Sequence, residues 1–417
     1  MLNIVDVFSG AGGLTEGFRS KHYFRFVGHI EMDKNACSSL MLRNVYYYLK
    51  EINNIEPYLE YIKGNITKDS LYSIVPESVT KDIFNEEINQ ESMERLFKLI
   101  DSRLGEQTLD GIIGGPPCQA YSTIGRANNK AKKESDKRIY LYKYYLEFLY
   151  KYNPKFFIFE NVKGLLSFKD IFGKLLFPQI IREFDDAGYD VAYEIVDASD
   201  YGVSQKRERL ILMGYRRDLQ LQNHFFDYLA KYKESAPNLK ELFADLPILK
   251  SGESDNEYRC ECLNNFIKSY YRSEYNVLTQ NISRKQNDND LKIYNLVVEA
   301  KKNGKNLKYV DIPPELQTHS NKTSFLDRYK ALDFNDISHT IVAHIAKDGH
   351  YYIHPDVLQN RSITVREAAR IQGFPDDFYF ESSRSTAFRQ IGNAVPPILS
   401  NKIASAIIDF LDQGGYA

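Results

Sequence analysis

A cysteine lies directly behind two prolines in the stretch GGPPCQAYS, residues 114–122. Proline fixes φ, removes a backbone donor and pushes the residue before it toward extended conformations. Cys118 is therefore predicted to lie on a stiff, non-helical corner. A lone cysteine is more often a small buried hydrophobe, but a stiff corner aims a side chain, and a thiolate is a good nucleophile. Cys118 is the candidate nucleophile.

Other charged side chains could assist this nucleophile. Glu160 follows the apolar run 156–159, where a carboxyl could protonate or hydrogen-bond the group under attack. Arg207 and Arg209 enter a later strand two residues apart. One could face a pocket and the other an anionic backbone, although a surface ion-pair cluster explains the same pattern. A basic run after the cysteine is either a solvated face or a loop that contacts phosphates: Arg126, Lys130, Lys132, Lys133, Lys137 and Arg138.

A glycine-rich loop, residues 8–13 (FSGAGG), follows the first apolar run. Glycines let a backbone approach a ligand closely, and the helix that follows offers free N–H groups. The spacing departs from the dinucleotide fingerprint because Thr15 occupies its third glycine position. Glu31, about twenty residues further on, suits bidentate bonding to a ribose diol. A tight turn and a solvated acid are the structural alternatives for these two features.

The elements that must position these residues alternate between strand and helix. Strands are predicted at 2–8, 24–30, 110–113, 156–159, 193–196 and 210–213, and helices at 140–152 and 173–187. This alternation predicts an α/β fold with a doubly wound, mostly parallel sheet. Ligands bind beyond the carboxyl ends of such strands, and Ser9, Glu31, Cys118 and Glu160 all fall there. Residues 48–109, charge-rich and helix-like, are interpreted as an insertion.

The pattern changes in the second half of the chain. From about residue 235 the alternation fades, and loops rich in Asn, Lys, Ser and Asp indicate a second domain. Thr364 is a predicted N-cap for a helix at 365–371. A last helix is predicted to open at residues 393–397 and to run to Leu411.

Composition limits the class of protein. The 417 residues carry a formal net charge of −2, so nucleic-acid binding would need a local basic surface. Four cysteines are too few for a disulfide scaffold and indicate a reducing cytoplasm. Cys260 and Cys262 could be half a metal site, but no nearby His or Cys completes a zinc set, and no metal is expected. No membrane-spanning stretch and no secretion signal are expected.

Six motifs follow one another along the chain: DVFSGAGGLTEGF at 6–18, GGPPCQAYS at 114–122, ENVKG at 160–164, YGVSQKRERLILMG at 201–214, TVREAARIQGFPDDF at 364–378 and RQIGNAVPP at 389–397. In these motifs and their order the chain resembles the cytosine-5 DNA methyltransferase family. The resemblance implies the S-adenosylmethionine-dependent methyltransferase fold with a smaller, irregular target-recognition domain. It implies a catalytic, cofactor-binding domain at 1–234, target recognition at 235–355, a hinge and motif segment at 356–387, and a C-terminal helix at 388–417 that returns to the catalytic domain.

For catalysis, the resemblance implies methyl transfer from S-adenosylmethionine to carbon 5 of cytosine in double-stranded DNA. Cys118 matches the nucleophile that adds to carbon 6, and Glu160 the acid that bonds ring nitrogen 3 and the exocyclic amine. Arg209 matches an arginine near the cytosine carbonyl, and Arg207 one nearer a phosphate.

For cofactor binding, the resemblance implies S-adenosylmethionine without a metal. Glu31 matches the ribose ligand, and Asn65, beside Ile66, occupies a position where an aspartate is usual. The other matching positions are Phe8, Ser9, Gly10, Gly12, Leu14, Met32, Pro117, Leu141, Asn393 and Val395.

The DNA partner implied by the resemblance must present its cytosine flipped out of the duplex, with a loop at 119–133 closing over the base. The DNA-contacting residues expected there are Gln119, Ser122, Arg126, Lys130, Lys132 and Lys133. Within the target-recognition range, charge is supplied by Arg284, Lys285, Lys301, Lys302, Lys305 and Lys308.

Alternative functions stay open at this point. One is a tRNA cytosine-5 methyltransferase, and another is a non-catalytic DNA-binding regulator. The length of the second domain and its HIAKDGHYYIHP segment favour DNA, while the intact Cys118, Glu160 and glycine loop favour catalysis. We expect the modification enzyme of a bacterial restriction system or an orphan methyltransferase. It is expected in the cytoplasm with the nucleoid, as a monomer, with a dimer as the alternative.

Overall fold

A seven-stranded sheet forms the centre of the protein. The computed structural model describes residues 1–117, 121, 137–222, 224–261 and 264–416. The strands are β1 Leu2–Val7, β2 Phe24–Glu31, β3 Ile83–Asn85, β4 Gly111–Gly114, β5 Phe156–Asn161, β6 Tyr189–Asp197, β7 Gln205–Lys206, β8 Glu208–Arg216 and β9 Ser338–His339. The helices are α1 Gly13–Arg19, α2 Lys34–Glu51, α3 Glu56–Ile62, α4 Lys68–Ser73, α5 Met93–Leu104, α6 Tyr142–Tyr152, α7 Leu176–Asp186, α8 Phe225–Ala230, α9 Leu239–Leu242, α10 Asn265–Tyr270, α11 Asp288–Lys302, α12 Val365–Gln372, α13 Arg384–Asn393 and α14 Pro397–Asp412.

The sheet has the order β3-β2-β1-β4-β5-β8-β6. Strands β1 to β5 run parallel, whereas β8 lies antiparallel between β5 and β6. The predicted α/β fold with a doubly wound, mostly parallel sheet is confirmed. The strand order reverses at β1, which pairs with β2 on one side and β4 on the other. Folds of this kind bind ligands in the crevice beyond the carboxyl ends at such a reversal.

Continuous apolar runs form the central strands because helices cover both faces of the sheet. Every residue of β1 and β4 is buried. The predicted strands at 193–196 and 210–213 are longer than expected, Tyr189–Asp197 and Glu208–Arg216. The start of β6 was missed because Asp190 interrupts the apolar pattern there, and β6 is an edge strand with exposed middle residues.

The segment at 48–109 is more than an insertion, which corrects the interpretation of the sequence. It contains a sheet strand, β3, which pairs in parallel with β2 so that Asn85 lies opposite Glu31. Its helix α5 buries Leu96 and Ile100 in the core beneath the sheet. A three-residue strand is too short to produce a recognisable periodicity, and this is why helical character dominated the prediction.

The C-terminal helices return to the sheet domain. Thr364 caps α12 as predicted: its hydroxyl accepts from the Glu367 N–H, and the Glu367 carboxylate accepts from the Thr364 N–H. The last helix, α14, packs on α1 so closely that a Cβ on Gly17 would lie 2.4 Å from the Asn401 nitrogen.

One correction concerns membrane spans. Within the described part of the chain, Arg384–Asp412 is long and apolar enough to count as a candidate span, contrary to the sequence-based expectation. However, 72% of its apolar window is buried inside the protein. Its apolar surface therefore serves the core, in which Ile403, Ile407 and Phe410 are fully buried.

A separate small core lies within the range 293–353. Its members are Ile293, Tyr294, Val297, Val298, Tyr309, Ile312, Tyr329, Ala331 and Ile353.

A buried arginine of α12 connects two loops by hydrogen bonds. Arg370 donates to Asp245 at 2.6 Å and to Asp376 at 2.6 Å. Charges that are buried in this way are stable only because each one is paired and hydrogen-bonded.

Candidate active site

The Gly-Gly-Pro-Pro corner is built by close backbone contact at the end of β4. A Cβ on Gly114 would lie 1.9 Å from the Val7 carbonyl oxygen, and one on Gly115 would lie 1.9 Å from that of Glu160. The Pro116 carbonyl also accepts a hydrogen bond of 3.2 Å from the Asn161 side chain. The corner is therefore held against both neighbouring strands.

Several predicted site residues lie outside the described residues. They are Cys118, Gln119, Ser122, Arg126, Lys130, Lys132 and Lys133. The structure describes the chain up to Pro117, which is half-buried. Cys118, the candidate nucleophile, follows Pro117 directly in the sequence.

Glu160 and Arg209 meet where β5 and β8 run side by side. Arg209 Nε lies 2.9 Å from Glu160 Oε1, and the two side chains are 13% and 17% exposed. Arg209 also donates to the Glu208 carbonyl at 2.8 Å. The ion pair fixes the direction of the carboxylate, and the partial exposure leaves it accessible at the carboxyl edge of the sheet.

Arg207 lies elsewhere, and the expected phosphate contact does not agree with its position. The residue is 2% exposed. Its guanidinium donates to the carbonyls of Ile341 at 2.7 Å, Gly392 at 3.2 Å and Ala394 at 3.0 Å. Residues two apart in a regular strand share a face, but Arg207 lies in the break between β7 and β8, so its side chain enters the protein interior while Arg209 pairs with Glu160.

Gln205 has a positioning role that the sequence did not reveal. Its amide nitrogen donates to Gln372 Oε1 at 2.7 Å, and its amide oxygen accepts from the Ile341 N–H at 2.9 Å. Together with Arg207, it joins the start of β8 to residues 341 and 394. The alternation of Gln and Arg in QKRER is the signal that could have indicated two inward-facing polar residues.

The glycine loop bends sharply between β1 and α1. Phe8, Gly10 and Gly12 have φ values of 59°, 57° and 86°. This left-handed backbone is costly for any residue other than glycine, and Phe8 adopts it as well. A Cβ on Gly13 would lie 2.1 Å from the Val395 carbonyl oxygen. The motif at 389–397 therefore closes directly over this loop.

Glu31 faces the loop from the end of β2. Its Oε2 accepts from the Gly10 N–H at 2.8 Å, and its Oε1 accepts from the Asp33 N–H at 2.8 Å. Burial raises the pKa of this carboxyl, although the backbone N–H groups oppose the rise. Each carboxylate oxygen has the capacity to accept a second bond, which a bidentate contact to a ribose diol requires.

Asn65 and Ile66 do not lie at this crevice, which corrects their assignment. Asn65 is exposed between α3 and α4 and donates to Glu60 at 2.9 Å. Ile66 packs in an apolar cluster with α2, α3 and α4. The strand end beside Glu31 carries Asn85 instead, whose amide donates to the carbonyls of Glu31 at 3.0 Å and Met32 at 3.1 Å.

The remaining predicted cofactor contacts differ in exposure. Ser9 and Leu14 are buried in and behind the loop, and Met32 is 61% exposed after Glu31. Leu141 is half-buried at the N-cap of α6. Asn393 is exposed at the end of α13, and Val395 is half-buried.

A buried polar cluster beneath the loop was missed from the sequence. Asp6 Oδ2 accepts from the Thr15 hydroxyl at 2.6 Å, and that hydroxyl also lies 3.1 Å from His29 Nδ1. The Ser9 hydroxyl donates to the Asp6 carbonyl at 2.7 Å. Burial raises the pKa of Asp6 to about 7 and lowers that of His29 well below its usual range.

No group of three or more His, Cys, Asp or Glu side chains suited to a metal ion occurs among the residues that the structure describes. Cys260 is exposed and unbridged, and Cys262 lies outside those residues.

Comparison with known proteins agrees with this geometry. The family model for C-5 cytosine-specific DNA methylases matches residues 2–409. The type II methyltransferase M.Bpa9945I of Bacillus paralicheniformis is 37% identical, over 98% of this chain and 99% of its own. The type II methyltransferase M.DdeI of Desulfomicrobium norvegicum is 29% identical, over 97% of this chain and 88% of its own.

Solved structures show the same fold at low sequence identity. A prophage-encoded E. coli protein, thought to be a DNA modification methyltransferase, superposes with a TM-score of 0.66 at 22% identity, covering 99% of this chain and all of the other. The S. pombe Dnmt2 methyltransferase superposes with a TM-score of 0.55 at 14% identity and covers both chains completely.

Proposed function

Because the chain belongs to the C-5 cytosine-specific DNA methylase family, we propose that it methylates carbon 5 of a flipped-out cytosine through a covalent adduct with Cys118. The target is a specific sequence in double-stranded DNA. Enzymes of this family use S-adenosylmethionine, which supplies the methyl group as an electrophilic sulfonium.

The proposed reaction needs the cysteine because carbon 5 of an aromatic pyrimidine is a poor nucleophile. The Cys118 thiolate forms a bond to carbon 6, and the electron pair of the 5,6 double bond moves to carbon 5, which can then attack. Glu160 hydrogen-bonds ring nitrogen 3 and the exocyclic amine and so stabilises the charge that develops on the ring. After methylation, loss of the carbon 5 proton restores the double bond and expels the thiolate.

The observation that carries this proposal is the position of the Glu160–Arg209 pair. Arg209 Nε lies 2.9 Å from Glu160 Oε1. The backbone carbonyl of Glu160 lies in close contact with Gly115, which is three residues before Cys118 in the sequence. An oriented acid and the segment that bears the nucleophile therefore meet at the carboxyl edge of the sheet. This supports an acid that acts on the same base as the thiolate.

The cofactor is proposed to lie in the crevice between the glycine loop and Glu31. Gly10 and Gly12, in the turn, have no side chains that would fill the crevice. The Glu31 carboxylate can accept hydrogen bonds from a ribose diol. Asn85 is proposed, in place of Asn65, as the polar residue on the adenine side. The exposed Met32 side chain offers an apolar surface for a planar base.

Recognition of the target is proposed to lie in residues 235–355, with residues 119–133 closing over the flipped base. The likeness to type II methyltransferases over nearly the whole chain supports a role in a restriction–modification system. An orphan methyltransferase would use the same chemistry and the same site.

Bisulfite sequencing of DNA from bacteria that express the protein tests this proposal directly. We expect one recurrent sequence to be protected from conversion, and no protection with Cys118→Ser. Cys260→Ser is the matched control, since that thiol is exposed and lies outside the six motifs in the sequence. DNA carrying 5-fluorocytosine should trap the wild-type protein covalently, because fluorine replaces the proton that must leave. Methylation on the exocyclic nitrogen would contradict the cysteine mechanism.

A further inference from the structure

The hairpin formed by residues 168–175 lies at the carboxyl edge of the sheet, the edge that holds Glu160. β5 runs parallel to β4 and ends at this edge with Asn161. β5 and β6 both pair antiparallel with β8, so they run in the same direction. The chain between them must therefore cross back to the amino edge, and α7 makes this crossing. The hairpin precedes α7 and so lies on the side of the Glu160–Arg209 pair.

The hairpin is ordered by its own hydrogen bonds. Lys169 and Leu175 pair antiparallel at its base. The Asp170 carboxylate accepts from the N–H groups of Phe172 at 2.9 Å and Lys174 at 2.8 Å. The Asp170 N–H donates in turn to the Lys174 carbonyl at 2.8 Å. Phe172 is thus presented by a formed turn, and a side chain on a formed turn loses less entropy when it binds a partner.

The tip of the hairpin combines apolar surface with positive charge. Phe172 is 77% exposed, and the exposed Lys169 and Lys174 flank it. Asp170, the acid of the hairpin, is buried, so the charges that face solvent are those of the lysines. A single exposed apolar residue is ordinary on a protein surface. Here, however, ammonium groups on both sides of a ring complement DNA, in which the apolar faces of bases and sugars lie between phosphates.

The base of the hairpin contacts the segment that carries the candidate nucleophile. Tyr121, three residues after Cys118, is fully buried, and the centre of its ring lies 5.2 Å from that of Phe168. Its hydroxyl donates to the Ile139 carbonyl at 2.7 Å. The hairpin is therefore fixed beside residues that follow the corner. A duplex that delivers its cytosine to Glu160 has to lie over this edge of the sheet.

We propose that Phe172 enters the groove of the target duplex that faces the sheet domain and packs against bases and sugars beside the flipped cytosine. The proposal rests on the proposed function and adds a DNA-positioning residue outside both residues 235–355 and residues 119–133. Apolar side chains that enter a groove wedge against base steps and stabilise a distorted duplex. A base that leaves the stack exposes the faces of its neighbours, which Phe172 would cover.

The first test compares the affinities of full-length variants for the target duplex that bisulfite sequencing identifies. Phe172→Ala is measured by fluorescence anisotropy over a range of salt concentrations. Tyr23→Ala is the matched control: this aromatic residue is 50% exposed at the amino edge, where its carbonyl accepts from the Leu2 N–H. Because both side chains are exposed, both variants should fold normally.

We expect Phe172→Ala to lower the affinity by about fivefold to 100-fold, the range for aromatic side chains that contact bases. The slope of log affinity against log salt should keep its wild-type value, because phenylalanine neutralises no phosphate. The control should bind as the wild type does. Unchanged affinity in Phe172→Ala, or an equal loss in the control, would overturn the proposal.

A second test uses the absence of tryptophan from the sequence. Phe172→Trp places a single indole at the tip of the hairpin, and contact with bases quenches indole fluorescence. We expect the target duplex to quench Phe172→Trp and to leave Tyr23→Trp unchanged. Emission that the duplex does not alter would contradict the proposal. Emission that changes with protein concentration alone would assign this surface to a second copy of the chain and would also overturn it.

Methyl-transfer kinetics separate positioning from chemistry. Phe172→Ala should raise the KM for DNA and leave kcat unchanged, because a contact made equally before and during methyl transfer affects binding alone. A lower kcat at unchanged KM would contradict the positioning role. If the wild-type protein fails to methylate carbon 5, the proposed function fails. Quenching of Phe172→Trp by a mixed-sequence duplex would then still decide whether the hairpin contacts DNA.

Discussion

Glu160 and Arg209 form an ion pair of 2.9 Å across two antiparallel strands, β5 and β8, and not within one loop. Register fixes the pair, because Glu160 lies opposite Ile211, two residues from Arg209. Strand pairing thus orients a carboxylate that a flexible loop would leave free to rotate. Rigid support of this kind is what a catalytic acid requires.

Glu160→Gln should lower kcat by about 100-fold to 10,000-fold, because an amide cannot stabilise the charge that develops on the base. The free energy of unfolding should change little, since Arg209 retains its bond to the Glu208 carbonyl. Single-turnover methyl transfer measures the effect. Glu208→Gln is the control: this exposed acid pairs with Lys163 at 3.2 Å, and its variant should keep normal turnover. Near-normal turnover in the Glu160 variant would remove it from the mechanism.

Arg207→Lys should lower the stability of the protein, whereas Arg209→Lys should lower its turnover. Lysine at 207 cannot serve the three carbonyls that the buried guanidinium bonds, so the free energy of unfolding should fall by about 2–4 kcal/mol. Lysine at 209 should leave stability nearly unchanged and reduce kcat, because the fixed orientation of Glu160 is lost. Denaturant titration and methyl-transfer rates on both variants check this division. Equal stability losses would show that Arg209 is also structural.

Gly115→Ala should disrupt the corner that carries the nucleophile. The added Cβ would lie 1.9 Å from the Glu160 carbonyl oxygen, so β4 and β5 must separate. We expect a loss of about 1–3 kcal/mol in the free energy of unfolding, together with a large loss of turnover. At Gly304, φ is 72° and an added Cβ meets no described atom within 4 Å, so Gly304→Ala should cost about 1–2 kcal/mol and keep activity. Full activity in Gly115→Ala would show that the corner tolerates displacement.

Asp6→Asn should change how stability depends on pH. The pKa of Asp6 is raised from 3.8 to about 7 in the folded protein, so the folded state binds more protons than the unfolded state in this window. Its stabilising contribution is full below pH 3.8 and is lost as the pH rises through about 7. The asparagine variant, which cannot titrate, should lack this decline, whereas Asp69→Asn on the exposed surface of α4 should retain it. Parallel pH profiles for wild type and Asp6→Asn would contradict the buried, protonated carboxyl.

Local features of the chain were predictable because their causes lie within a few residues. Thr364 and Glu367 form the capping box that starts α12, and Gly373, with φ of 90°, ends it. The apolar runs of β1 and β5 identify buried strands wherever they pair. Ordered motifs likewise located the Gly-Gly-Pro-Pro corner, Glu160 and the glycine loop, since each motif is short and contiguous.

Only the tertiary structure decided which strand end faces Glu31 and which arginine faces the crevice. Asn65 matches a motif locally, but pairing of β3 with β2 brings Asn85 to the crevice, and no pattern around residue 65 encodes that pairing. Arg207 and Arg209 are the same type of residue, two positions apart. Only Arg207 is bonded in the interior, to the carbonyls of residues 341, 392 and 394. Such choices are made by long-range contacts, whereas caps and turns depend on the sterics and hydrogen bonds of neighbouring residues.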